Sequence, residues 1–210
     1  MKIVYATTNP GKLEEAKRIY AHHGLTVMGL NELGVEQDVE ETGNILEENA
    51  AIKANAYLKL VPSGTIVVAD DTGIEIDALG GEPGIKVRRW LGHKMTDEEI
   101  IEHCLRRMKN IPIGKRQARF RTVLAVTVGD NKIKYFDGIL DGEILIEPKS
   151  ARREGMPFWP LFYVPELKMT LGEFHASPLN FQMSHPTHRE KALVATVSYL
   201  KSLVHQASRN

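Results

Sequence analysis

The sequence predicts an α/β fold built on a mixed sheet. Three observations carry the prediction. Short apolar runs at Ile3–Ala6 and Thr65–Ala69 are each joined to a helical stretch, Leu13–His23 after the first and Ile45–Leu60 before the second. Two later strand-like runs, Arg119–Val128 and Lys132–Ile139, flank Gly129-Asp130-Asn131 as the arms of a β-hairpin do. The last stretch, Arg189–Gln206, returns to helical spacing. Such βα units together with a hairpin give one α/β unit with a mixed sheet, built as one body or as two lobes.

Each element has a local reason. Ile3–Ala6 has the length and β-branched content of a buried strand. Thr7-Thr8-Asn9-Pro10-Gly11-Lys12 breaks it, and Leu13–His23 then sets Leu13, Ala16, Ile19 and Tyr20 on one helical face until Gly24 stops it. Val27–Leu30 is a candidate second strand, and acidic residues crowd Glu36–Glu41. In Ile45–Leu60, Leu46, Asn49, Ala50, Lys53, Ala54 and Tyr57 follow helical spacing, and Pro62-Ser63-Gly64 ends the helix. Thr65–Ala69 reads as a strand, with Asp70-Asp71-Thr72-Gly73 expected just beyond it, and Gly80–Gly84 as a loop. Thr96 with Glu99 three residues on is a capping-box pattern and predicts a helix to Lys109. Gly142–Ile146 is expected as a further short strand. Ser150–Pro178, rich in aromatics and proline, reads as irregular, and Arg189–Gln206 is expected to turn Leu193, Val197, Leu200 and Val204 inward. No internal repeat or low-complexity tract is present.

Length and composition bound the function. At 210 residues the chain is one to one-and-a-half domains by a prior of roughly 150 residues each, and it can bury a core without staples. We read residues 1–210 as one domain. Apolar residues at 42% and charged residues at 26% exclude wholesale disorder. No stretch reaches the ~18 apolar residues a membrane helix needs. Met1–Tyr5 reads directly as a strand, so no leader peptide is expected. Cys104 is the single cysteine, which rules out an internal disulfide framework and suits a reducing, cytoplasmic setting. Lys plus Arg and Asp plus Glu both total 27, a balance that leaves no footprint for duplex DNA or an anionic membrane. An anionic small molecule would have to meet a local cluster of positive groups.

Four stretches carry candidate chemistry. Thr7–Lys12 lies between a strand end and a helix start, where free backbone N–H groups and the positive end of the helix dipole favour phosphate oxygens. Hydroxyls, an Asn amide and Lys12 add donors, although the P-loop spacing is absent. The bland alternative is an ordinary cap and turn. Asp70 and Asp71 are adjacent, and like charges this close raise each other's pKa. A bound divalent cation with hard oxygen ligands, as Mg²⁺ prefers, removes the conflict; alternatively one Asp caps the next turn. Asp-Thr-Gly also occurs in aspartic proteases, but that reading needs a second copy and an almost all-β chain, and this chain has one copy and several helices. Glu40-Glu41 with Glu47, Glu48, Asn49 and Lys53 supplies either a metal ligand and a phosphate contact or a solvated charged face. Thr187-His188-Arg189 suits an anion or a planar base, or is a surface turn; His185 and His188 lack the further ligands a zinc site needs.

Taken in order, these residues resemble the inosine triphosphate pyrophosphatase family, which removes non-canonical purine nucleoside triphosphates. Ala6–Lys12 is similar to its phosphate loop, and Glu41-Thr42-Gly43 with Glu48-Asn49-Ala50 and Lys53-Ala54 to its acidic and helical segment. Ala69–Ile74 with Ala78–Ile85 resembles its central signature, followed by Arg89. Ala118-Arg119-Phe120, the Gly138 and Gly142 pair, and Thr187–Leu193 complete a series that runs along nearly the whole chain.

The resemblance implies a long mixed central sheet flanked by helices, two lobes around an active-site cleft, a homodimer, and Mg²⁺. It implies hydrolysis between the α- and β-phosphates of a nucleoside triphosphate such as ITP, dITP or XTP, giving a monophosphate and pyrophosphate. Carried over, Thr7, Thr8, Asn9 and Lys12 hold the phosphates with help from Lys53. Glu41 and Asp71 bind Mg²⁺, and Asp71, grouped with Asp70 as the catalytic carboxylates, is the candidate general base. Thr72, Arg89, Phe158, Trp159, His188 and Arg189 complete the substrate contacts. The departures lie on the base-reading side. Met156-Pro157-Phe158-Trp159-Pro160 stands where the family has Phe-Gly-Tyr/Trp-Asp-Pro. No Lys occurs between Lys168 and Lys191, and Val87 stands where a Ser is usual. An altered base pocket is expected, because base selectivity is set by hydrogen bonds to buried polar groups. Two other readings stay open: a nucleotide-binding or sensing protein of the same fold with little turnover, and a Mg²⁺ phosphatase that releases orthophosphate.

Overall fold

A computed structural model describes residues 1–129 and 132–207. In chain order the elements are β1 (Ile3–Tyr5), α1 (Pro10–His22), β2 (Val27–Gly29), α2 (Leu46–Leu58), β3 (Ile66–Ile76), β4 (Pro83–Gly84), α3 (Asp97–Arg107), β5 (Gln117–Thr127) and β6 (Ile133–Ile144). They continue with β7 (Phe162–Val164), β8 (Met169–Thr170), α4 (Leu171–Ala176), α5 (Leu179–Ser184) and α6 (His188–Ala207). The described strands form one mixed sheet ordered β2-β1-β3-β5-β6-β7-β8, with β4 paired to β3. The α/β class and the mixed sheet are as the sequence predicts.

The chain divides into two compact units. The first holds Met1–Thr72, Thr122–Ile139 and the stretch from Thr187 onward; the second holds Gly73–Arg121 and Leu140–Pro186. In the first, β1 runs parallel to both β2 and β3, with Tyr5 opposite Gly29 on one side and Val68 on the other. Its continuous apolar sequence suits a strand covered on both faces. Ala16, Ile19 and Tyr20 of α1 are buried as their spacing predicts, and the Tyr20 hydroxyl meets Thr196 Oγ1 of α6 at 2.8 Å. In the second unit the core is aromatic, with Phe120 and Phe162 ring centroids 4.8 Å apart. Thr96 and Glu99 form the expected capping box on α3.

Several boundaries differ from the expectation for physical reasons. Helix α1 starts at Pro10 rather than Leu13, because the Asn9 side chain caps it and proline suits the first turn. Strand β3 does not end at Ala69 but runs through Asp70-Asp71-Thr72-Gly73 to Ile76, since both carboxylates find partners. Strand β6 is continuous, so Gly142 lies inside it instead of opening a separate strand. Both of its glycines are close-approach positions. A Cβ on Gly138 would lie 2.1 Å from His188 O, and one on Gly142 would lie 2.5 Å from Tyr163 O. The Gly80–Gly84 loop contributes the short β4. Ser150–Pro178 is not wholly irregular: it contains β7, β8 and α4, the last with a Thr170/Glu173 capping box. β5 and β6 are sheet neighbours, but Asp130 and Asn131 of the expected turn lie outside the described residues. Among the described residues no helix is long and apolar enough to cross a membrane.

Candidate active site

Asp70 and Asp71 are adjacent in β3 and are held by different partners, while the Lys53 charge acts on both. Asp70 is buried and meets Lys12 Nζ at 2.8 Å, with Arg189 Nε 3.7 Å from the same Oδ2. Asp71 has different partners. Asn49 Nδ2 donates to its Oδ2 at 3.1 Å, the Thr72 amide donates to its Oδ1 at 2.9 Å, and Lys53 Nζ lies 3.7 Å from Oδ1. Lys53 also donates to Glu41 Oε1 at 2.5 Å, so one ammonium faces both carboxylates. Asn49 Oδ1 in turn accepts from the Gly43 amide at 2.8 Å, which ties the acidic loop to α2. A Cβ at Gly43 would come within 2.7 Å of that oxygen. Thr72 Oγ1 pairs with Thr122 Oγ1 at 2.8 Å and accepts from Arg189 Nη2 at 3.4 Å.

Helix α1 brings a stripe of charge to this strand. Lys12, Glu15 and Arg18 are three residues apart and share one face. Lys12 faces Asp70, Glu15 Oε2 accepts from Arg189 Nη1 at 2.9 Å, and Arg18 Nη2 donates to Glu190 Oε1 at 2.8 Å. Positive meets negative at every rung. Neither Glu15 nor Arg18 is singled out by the sequence, and Asn49 and Glu190 fall only within candidate stretches, with no role of their own. Ahead of α1, Asn9 Oδ1 accepts from the Gly11 and Lys12 amides at 2.9 and 3.2 Å, so these two N–H groups are capped rather than free. Thr7 Oγ1 accepts from the Asn9 amide, and Thr8 is exposed.

The electrostatics separate the two aspartates. Burial favours protonation of Asp70, but Lys12, Arg189 and Lys53 outweigh it and hold the carboxyl well below its ordinary range. Burial pushes Asp71 above its ordinary value; Lys53 pulls it back, and the negative charge of Glu41 adds to the rise. Burial pulls the Lys53 ammonium down, yet Asp70, Asp71 and Glu41 more than compensate, so it stays charged. Asp70 therefore contributes stability above its ordinary 3.8, and that contribution is lost as pH falls through its lower folded value. Asp71 has the opposite sign: it favours the fold at low pH, and the contribution is lost as pH rises through its raised folded value. Carboxyl NMR titration of the metal-free protein is expected to place Asp71 above 3.8 and Asp70 below it. The reverse order would contradict this account of the two environments.

Glu41 and Asp71 fit a hard divalent cation. Both are oxygen donors held by the same Lys53, and the buried Asp71 carboxylate is short of positive charge. Among the described residues no group of three or more His, Cys, Asp or Glu side chains forms a cage. Mg²⁺ needs none when one or two carboxylates are joined by substrate phosphates and water.

The other candidates are placed as follows. His188 and Arg189 are buried at the start of α6 in the first unit. Arg189 is thus an internal counter-ion to Glu15 and Asp70. Arg89, Phe158 and Trp159 belong to the second unit. Phe158 is 2% exposed within the aromatic core, 6.4 Å from the rings of both Trp90 and Phe120. Trp159 stacks on His175 with ring centroids 3.9 Å apart. Arg89 is exposed in a short helical turn.

Known proteins match this chain along nearly its whole length. A dITP/XTP pyrophosphatase from Thermoanaerobacter pseudethanolicus is 38% identical over 200 residues, covering 95% of this chain and 96% of the relative. One from Bacillus subtilis is 38% identical over 190 residues, covering 90% and 93%. Among solved structures, a HAM1 protein from Coxiella burnetii superposes with a TM-score of 0.81 at 31% identity, covering 96% of this chain and 99% of that one. The Staphylococcus aureus Ham1 protein gives 0.78 at 34% identity, covering 96% and 99%. With the Ham1 family matched across residues 3–199, from β1 into α6, the chain belongs to that family.

Proposed function

We propose that this chain is a Mg²⁺-dependent nucleoside triphosphate pyrophosphatase that hydrolyses non-canonical purine nucleotides such as ITP, dITP and XTP to a monophosphate and pyrophosphate. The observation that carries the reading is the convergence of two ammonium groups and three carboxylates around the Asp70-Asp71 stretch of β3: Lys12 on Asp70, and Lys53 between Asp71 and the loop residue Glu41. The relatives named dITP/XTP pyrophosphatase support the substrate class. The balanced net charge fits a small anionic substrate met locally.

In this mechanism Lys12, Lys53, Thr7 and Thr8 bind the triphosphate, while Asn9 caps the first turn of α1 and fixes the start of the helix that carries Lys12. Asp71 takes the proton of the attacking water. A carboxylate raised above its ordinary range is better matched to a general base near neutral pH than an ordinary one. The water oxygen bonds to the α-phosphorus, the bond to the bridging oxygen breaks, and pyrophosphate departs with its charge offset by the two ammonium groups. Mg²⁺, held by Glu41 and Asp71, supplies further neutralisation of the phosphate oxygens when bound. Asp70, kept ionised, anchors Lys12. Thr72, Arg89, Phe158, Trp159, His188 and Arg189 are assigned to the ribose and base side or to its support. A cytoplasmic setting rests on the single buried Cys104, whose thiol burial pushes up to about 12, and the homodimer rests on the family resemblance.

The test is a panel of nucleoside triphosphates with Mg²⁺, scored separately for pyrophosphate and orthophosphate. ITP, dITP or XTP should exceed ATP and GTP, with pyrophosphate as the product. Orthophosphate as first product, or nucleotide binding without turnover, would contradict the reading.

A further inference from the structure

The charge stripe on α1 leaves several atoms of the first unit buried but unpaired by the protein. The Tyr5 hydroxyl is fully buried and finds no hydrogen-bond partner among the described residues. Glu15 gives Oε2 to Arg189, while its Oε1 is buried without a protein partner. Arg189 Nε is buried with no hydrogen bond, 3.7 Å from Asp70 Oδ2. The topology makes these groups neighbours. Tyr5 sits opposite Val68 in the paired strands β1 and β3, two residues before Asp70, and Glu15 and Arg189 are in direct contact at 2.9 Å. Burial raises the Tyr5 pKa most, and the charge of Asp70 raises it further, so the phenol stays a neutral O–H donor. A hydroxyl, a guanidinium N–H and a carboxylate oxygen, all buried together, are the surroundings that retain an internal water, which typically makes about three hydrogen bonds.

We propose that Tyr5 is a positioning residue: its hydroxyl shares an internal water with Glu15 Oε1 and Arg189 Nε, and this water-bridged cluster holds Arg189 against Asp70 and thereby Asp70 against Lys12. The consequence for turnover rests on the pyrophosphatase reading; the water does not. The cluster reaches the phosphate side through Asp70 and Lys12, and Arg189 also donates to Thr72 Oγ1.

The experiment compares Tyr5→Phe with Tyr20→Phe, since Tyr20 is an equally buried phenol already satisfied by Thr196. Both should melt at lower temperature than wild type. Tyr5→Phe alone should lower kcat about fivefold while KM stays within roughly twofold, the pattern of a lost orienting interaction rather than of lost binding. A crystal structure of the wild type should show a water within hydrogen-bonding distance of Tyr5 Oη and Glu15 Oε1. A rise in Tm for Tyr5→Phe would mean that the hydroxyl is bare and costly, and would overturn the proposal. So would a kcat no lower than that of Tyr20→Phe, or a crystal structure with no water at Tyr5. If the wild type releases no pyrophosphate, the functional reading fails alone, and the melting comparison and the crystal structure still decide the water.

Discussion

Asp71→Asn is expected to lower kcat by about 10²–10⁴-fold, the range a positioned general base contributes, while Tm changes by only a few degrees. Asparagine keeps the shape of the side chain and an oxygen able to accept from the Thr72 amide. What it loses is the charge, the proton-accepting function and the second oxygen that accepts from Asn49 Nδ2. The fold has little to lose, because burial and Glu41 already disfavour the ionised form of Asp71. Removing that charge sacrifices the long contact with Lys53 at 3.7 Å and also relieves the repulsion from Glu41. Steady-state turnover and a thermal melt on the same preparation separate the two effects. Full activity in the variant would remove Asp71 from the mechanism.

Arg189→Met has the opposite profile, with stability as the large effect. The guanidinium is buried and stands between the half-buried Glu15 at 2.9 Å and the buried Asp70 at 3.7 Å. Removing one partner of a buried ionic cluster typically costs about 3–5 kcal/mol, because the charges left behind are neither solvated nor paired. Urea denaturation should show the midpoint falling with an unchanged slope. Adding Glu15→Gln should recover part of the loss, because one of the stranded charges is then gone. A loss under about 1 kcal/mol, the level of an exposed pair, would contradict the internal counter-ion role.

Much of this site was legible because its signals are local. Thr7–Lys12 and Asp70–Gly73 stand out where strand runs meet polar groups, and Lys53 follows from helical spacing with Asn49. What stayed hidden depends on long-range pairing. Glu15 and Arg18 carry no local signal, since their partners Arg189 and Glu190 lie 174 and 172 residues away. Tyr5 disappears into an apolar run, and only the three-dimensional packing shows that its hydroxyl is stranded. The like-charge conflict inferred for Asp70 and Asp71 is met by three cations and by separate hydrogen-bond partners for the two carboxylates. Phe158 could be recognised as an aromatic in a base-reading segment, but its burial in the core could not. The Thr170-x-x-Glu173 signal was visible in the sequence, and the surrounding proline and aromatic content masked it.

The proposal turns on water attacking the phosphorus next to the sugar, with the proton passing to Asp71. Hydrolysis of ITP in water enriched in the heavy oxygen isotope, followed by mass spectrometry of both products, tests this most directly. The account predicts the label in the nucleoside monophosphate and none in the pyrophosphate. Label in the pyrophosphate, or release of labelled orthophosphate, would contradict it.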